Sequence, residues 1–199
     1  MLFCVLITVL FLLVMTHSGS AGSTEFQNGA ESTSINYFSL APEKLVALAE
    51  TGDVFAMKTL GLIYQFGRGD IRRDEKKAFE WFTRAAEQGD ASARGLLGYL
   101  YEHGVGVTQD YPAAIKWYKL AAEDGDVSAQ FYLGDVYSSG QGVAQDFVQA
   151  HMWYNIAAAN GNYVAAGSRD LVAKNMTSAE IEEAQKLARE WVASHGKSP

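Results

Sequence analysis

The side chains able to do chemistry in this 199-residue chain are few and scattered. The four histidines are His17, His103, His151 and His195. No two of them have the one-turn spacing that would put a pair of imidazoles on one metal ion. The one cysteine, Cys4, lies in an N-terminal apolar stretch, so the rest of the chain offers neither a thiolate nor a disulfide. Gly67-Arg68-Gly69, Gly104-Val105-Gly106 and Gly140-Gln141-Gly142 suggest phosphate loops. They lack the third glycine and the preceding strand, and read as turns between helices. Asp74, Asp110 and Asp146 recur at fixed places before predicted helices, where an aspartate caps backbone N–H groups. No pair of acids converges as general acid–base catalysis would require. The expectation is therefore no catalytic, metal or cofactor-binding residue, and no cofactor. Asn175-Met176-Thr177 matches a glycosylation sequon, which matters only in a eukaryotic secretory pathway.

Stepping from these residues to the elements that carry them, the dominant feature is an internal repeat. Ala93, Leu97, Gly98, Tyr101, Gly104, Gly106, Val107, Gln109, Asp110, Ala114, Trp117, Ala121, Ala122 and Gly125 all recur 36 residues later, from Ala129 to Gly161. An earlier copy carries Ala56, Leu60, Gly61, Tyr64, Gly67, Gly69, Asp74, Ala78, Trp81, Ala85, Ala86 and Gly89, with one extra residue between Gly69 and Asp74. Each copy reads as two helices. Ala93, Leu97, Leu100 and Tyr101 form the apolar stripe of the first, capped by Asp90 as Asp53 and Asp126 cap its equivalents. Ala114, Trp117, Tyr118 and Ala121 form the stripe of the second, with Asp110 as cap and Pro112 tolerated in its first turn. A mid-helix glycine costs about 1 kcal/mol against alanine. Gly61, Gly98 and Gly134 offset that cost if a neighbouring helix approaches closely there. The tryptophans are expected to fill the gap between repeats.

The pattern A-x-x-x-L-G-x-x-Y-x-x-G-x-G-V-x-x-D followed by A-x-x-W-x-x-x-A-A-x-x-G, as in Ala93 to Gly125, resembles the Sel-1-like repeat family of tetratricopeptide-like solenoids. The first copy departs from it, with Asp70-Ile71 and the insertion, which affects its loop and not its helices. The resemblance implies an all-α fold: α/α hairpins stacked into a right-handed superhelical solenoid with helical caps. It also implies protein scaffolding rather than catalysis. Some exported cysteine-rich members have been linked to β-lactam binding, but this chain lacks their cysteines.

The expected division is 1–22 signal peptide, 23–40 flexible leader, 41–52 N-terminal cap helix, 53–89, 90–125 and 126–161 as the three repeats, and 162–199 as C-terminal capping helices and tail. Terminal repeats must cover an open core edge. Leu45, Leu48 and Ala49 give the first cap an apolar face, and Tyr163 to Lys174 reads as a first helix that has lost its Leu-Gly pair. Thr177-Ser178-Ala179-Glu180 is a capping box opening a last helix that runs to about Ala193.

A solenoid binds through positions that stacking does not use. By analogy with tetratricopeptide grooves, these are Phe55, Lys58, Leu62, Gln65 and Phe66 in the first copy. The second gives Ser92, Gly95, Tyr99, Glu102 and His103, and the third Ser128, Phe131, Asp135, Ser138 and Ser139. The candidate groove for a protein or peptide partner is thus carried by Phe55, Lys58, Leu62, Phe66, Tyr99, Glu102, His103, Phe131 and Asp135. It is expected to take a partner's helix or extended segment. Phe55 and Phe66 have an alternative use in packing against the N-terminal cap helix, and His151 stands in a packing slot held by Phe79 and Ile115 in the other copies.

Composition narrows the partners. A net charge of −7 repels phosphate backbones and anionic lipid, so no nucleic acid is expected. Leu2 to Met15 is an apolar stretch of 14 residues without a charge, followed by small residues from Ser18 to Ser23. That is short for a membrane span and fits a secretory signal, although no Lys or Arg precedes it. The chain is expected to be exported, periplasmic or secreted; a membrane enters only if the segment stays uncleaved as an anchor. The working reading is an exported interaction adaptor or scaffold. Its rivals are a cell-wall-related or β-lactam-binding enzyme and a membrane-anchored adaptor.

Overall fold

The computed structural model describes residues 36–195. The signal peptide, Cys4, His17 and most of the leader lie outside the described residues. Asn36 opens a single 3-10 turn at Tyr37–Ser39, within the stretch expected to be leader. The chain divides after Ser39, and the unit from Leu40 onward contains the repeats.

Among the described residues that unit is built from nine α-helices. They are α1 Pro42–Glu50, α2 Val54–Phe66, α3 Glu75–Glu87, α4 Ala91–His103, α5 Tyr111–Glu123, α6 Val127–Ser139, α7 Phe147–Ala159, α8 Tyr163–Ala173 and α9 Ser178–His195. From α1 to α8 each helix packs on its chain neighbours, and α4 also touches α6, the first helix of the next repeat. This is an α/α solenoid.

Local chemistry sets the helix ends. The side chains of Asp53, Asp90 and Asp126 accept from the N–H groups of Ala56, Ala93 and Ala129 at 2.9, 2.7 and 2.7 Å. Asp74, Asp110 and Asp146 cap α3, α5 and α7 in the same way. Each such cap satisfies a backbone donor that the helix cannot, and is worth ~1 kcal/mol. Thr177 and Glu180 form the reciprocal capping box at α9, with Thr177 N–H donating to Glu180 at 2.7 Å.

The Leu-Gly pairs act within each hairpin. A Cβ on Gly61 would lie 2.6 Å from the Phe82 ring; on Gly98 and Gly134 it would lie 2.6 and 2.5 Å from Tyr118 and Tyr154. The glycines thus admit the aromatic residue that follows each tryptophan, and this ring holds the core position. Phe82 and Tyr118 are fully buried, whereas Trp81 and Trp117 are half-buried. This corrects the expectation that the tryptophans fill the gap between repeats. The 36-residue register identifies the Trp column because its residue type is invariant across the copies. The next column holds Phe82, Tyr118 and Tyr154 and is the one that points inward. Trp81 instead lies under the Arg84 guanidinium, 4.3 Å from ring centre to charge. Trp153 is buried because α9 covers it, with Trp191 packed edge-on at 5.3 Å.

The hairpin loops lock one repeat to the one before. Gly106 has a φ of 72°, and a Cβ there would fall 2.1 Å from the backbone oxygen of Glu75 at the start of α3; Gly142 stands likewise against Tyr111. The first copy's longer loop closes differently, through paired backbone hydrogen bonds between Arg68 and Ile71 at 2.9 and 3.0 Å.

Candidate functional site

The candidate groove residues lie along α2, α4 and α6, the first helices of the three repeats, because a position two, five, nine, twelve or thirteen residues into such a helix returns to one face. The structure treats them unequally. Phe55 and Phe66 on α2 are exposed. Lys58 lies over the Phe55 ring and pairs with the Asp90 cap of the next repeat at 3.0 Å. Leu62 is only 8% exposed and packs with Ala78, Phe82 and Leu100. This corrects its placement among the exposed groove residues. With no tyrosine hydroxyl to serve in this repeat, its side chain completes the apolar layer above Phe82.

The second and third repeats build a continuous patch. Tyr99 stacks on His103 at 4.1 Å, one turn apart on α4, and lies 6.2 Å from Tyr132 on α6. Tyr132 stacks in turn on Tyr118 at 5.2 Å and meets Phe131 edge-on at 6.0 Å. Phe131 packs on Tyr154 at 5.6 Å. Tyr132 lies outside the expected set. It sits one residue beyond a groove position, where the other repeats carry Thr59 and Leu96, so periodicity alone assigns it to stacking. Its being aromatic beside Phe131 was the available signal.

Two carboxylates are held in this patch. Glu102 accepts a hydrogen bond from the Tyr118 hydroxyl, and Asp135 accepts one from the Tyr154 hydroxyl, both at 2.6 Å. Burial pushes the Asp135 carboxyl up to about 6; the Tyr154 hydrogen bond opposes the shift and the Glu102 charge adds to it. Burial also raises Tyr132 to about 12, reinforced by Tyr99, Glu102, Asp135 and Asp126 around it. Asp126 is raised by burial against the pull of its capping bond from Ala129. Where Lys58 serves Asp90, the equivalent residue facing Asp126 is Gly95, whose added Cβ would come within 3.2 Å of the Asp126 carboxylate. Chemically this face offers π surfaces, partly desolvated anionic acceptors and apolar contact, all of which can bind a partner.

The Sel1 repeat family matches residues 54–90, 91–126 and 127–162. Each begins one residue after the boundary drawn from the sequence, because the capping aspartate is counted with the preceding repeat. A Sel1 repeat protein from Oxalobacter formigenes is 38% identical with a TM-score of 0.57, covering 64% of this chain and 96% of that one. From Arabidopsis thaliana, the ERAD-associated E3 ubiquitin-protein ligase component HRD3A is 41% identical over 58 residues, 29% of this chain and 9% of that protein. The chitin synthase regulator SKT5 of Saccharomyces cerevisiae is 40% identical over 76 residues, 38% of this chain and 10% of that protein. The chain therefore spans about a tenth of the length of the curated relatives it matches. With three matched repeats covering more than half of its residues, the chain belongs to the Sel1 repeat family.

Proposed function

We propose that this chain is a protein-interaction adaptor whose first-helix face receives a segment of a partner protein, and that it performs no catalysis of its own. The observation that carries the reading is the aromatic patch of Tyr99, Tyr132 and Phe131. These rings are only partly buried and continue from α4 onto α6, while the glycine-facing rings beneath them already hold the hairpins together. Large half-exposed aromatics near the centre of a polar surface are the usual anchors of an interface. The relatives, by name a ligase component and a synthase regulator, support a role exercised through other proteins. Export, to the periplasm or outside the cell, is part of the proposal and rests on the uncharged apolar stretch Leu2 to Met15 with its small-residue flank.

The test is a crosslinked capture from host extract with the full chain beside a Tyr99→Ala/Phe131→Ala variant. Both substitutions are at half-buried positions, so circular dichroism is expected to show an unchanged helix content. A partner captured by the parent and lost by the folded variant supports the adaptor reading. Equal capture by both moves the interface to another face. Turnover of a chromogenic β-lactam, abolished by a point substitution, would replace the reading by an enzymatic one. Mass spectrometry of the mature protein tests export, which fails if Met1 to Gly22 remains attached.

A further inference from the structure

The patch on α4 and α6 has a charge pattern that the fold does not need. In the first repeat the core ring is Phe82, and the positions above it carry Leu62 and Gln65, so there is neither hydroxyl nor acid. In the second and third repeats the ring is a tyrosine, and a carboxylate takes its hydroxyl: Glu102 for Tyr118 and Asp135 for Tyr154. The two acids stand at different repeat positions, since Glu102 aligns with Ser138 and Asp135 with Tyr99. Stacking alone is met by the Phe82 arrangement. The hydroxyl bonds hold two half-buried carboxylates beside Tyr132, which Tyr99 also neighbours.

Positive charge is sparse there, the Lys58 ammonium being the cation that acts on Asp126. Lys58 is committed to Asp90, and Arg94 is paired with Asp124. Among the described residues no ion pair is formed by Glu102, Asp126 or Asp135. Resting on the adaptor reading, we propose that this face recognises a basic segment of its protein partner: one arginine or lysine side chain of that segment lies against the Tyr99 and Tyr132 rings and is bound by Glu102 and Asp135. A cation over a ring face gains from the quadrupole, and more so when desolvated. Guanidinium or ammonium donors make charge-assisted bonds to carboxylate oxygens. Phe131, beside Tyr132, supplies apolar contact for neighbouring residues of the segment, and the net charge of −7 steers a basic sequence toward the chain.

The experiment uses the full chain and three fluorescent synthetic peptides with the same apolar residues and a central arginine, glutamine or glutamate. Anisotropy is expected to rank arginine about tenfold or more above glutamine, with glutamate weakest and arginine binding falling as salt rises. The isosteric double variant Glu102→Gln/Asp135→Asn keeps acceptors for both tyrosine hydroxyls. It is expected to lose about tenfold for the arginine peptide and to leave the glutamine peptide unchanged. Binding should also lower the pH at which the Asp135 carboxyl titrates, read by carbon NMR. Binding with no preference among the three peptides, yet lost in Tyr99→Ala/Phe131→Ala, overturns the cationic assignment while the adaptor face stands. Binding of none of the peptides, or binding indifferent to Tyr99→Ala/Phe131→Ala, overturns both.

Discussion

His151 shows how one residue can mark a local conflict inside an otherwise regular array. It occupies the slot that Phe79 and Ile115 hold in the other repeats and is 3% exposed, with no hydrogen-bond partner at Nδ1. Burial holds its imidazole below the usual histidine range; the Arg169 charge adds to this and Asp170 opposes it. The folded chain therefore binds this proton less readily than the unfolded chain. Stability from this site is complete above about pH 6.5, the ordinary histidine value, and is lost as the pH falls below it. His151→Ile is expected to gain ~1 kcal/mol at neutral pH by removing an unsatisfied polar atom. It should gain more at pH 5.5, flattening the acid limb of a denaturant-derived stability profile. An unchanged acid limb would mean that other groups dominate it.

At the scale of the helix hairpin, the informative comparison is between adjacent columns of the repeat. Tyr118 is fully buried over Gly98 with its hydroxyl held by Glu102, while Trp117 is half-buried. Truncating a large buried aromatic costs roughly 3–5 kcal/mol. Tyr118→Ala should fall in that range, whereas Trp117→Ala should cost less, since part of its surface already meets water. Urea unfolding of the two variants decides the order, and a larger loss for Trp117→Ala would contradict the packing described. Conversely, Gly98 cannot accept even alanine without moving a ring that is hydrogen-bonded at its far end.

The whole array is closed at its C-terminal end by a helix that breaks the stacking rule. α8 keeps the register of a first helix, with Asn162 capping it through Val164 and Ala165. Its partner α9 does not complete a fourth hairpin but folds back on α7. Ala184 and Ala188 are buried in this contact, and Trp191 covers Trp153. The helix thus protects the last core layer and leaves Tyr163, Val164 and Leu171 of α8 exposed. Trp191→Ala is expected to destabilise the chain by roughly 2 kcal/mol, about half the cost of a fully buried ring. It should also shift tryptophan emission to the red as Trp153 meets water. Emission that stays in place would show that Trp153 is covered by something other than α9.

By itself the sequence determined the repeat, the helix pairs, the aspartate caps, the capping box and the close approach at the Leu-Gly pairs. The helices, caps and capping box depend on residues within a few positions of one another, and the 36-residue register marks the repeat and its mid-helix glycines, so register and helical periodicity suffice to read them. Tertiary structure decided which of two adjacent aromatics is core, that Leu62 is covered, that α9 returns to α7, and that Tyr132 joins the patch. These outcomes depend on which helix lies opposite, and that is fixed by packing between segments far apart in the chain. The pairing of Tyr118 with Glu102 and of Tyr154 with Asp135 belongs to the same class. The two acids occupy different repeat positions, so no column of the repeat announces them, and only the folded hairpin brings each carboxylate to its hydroxyl.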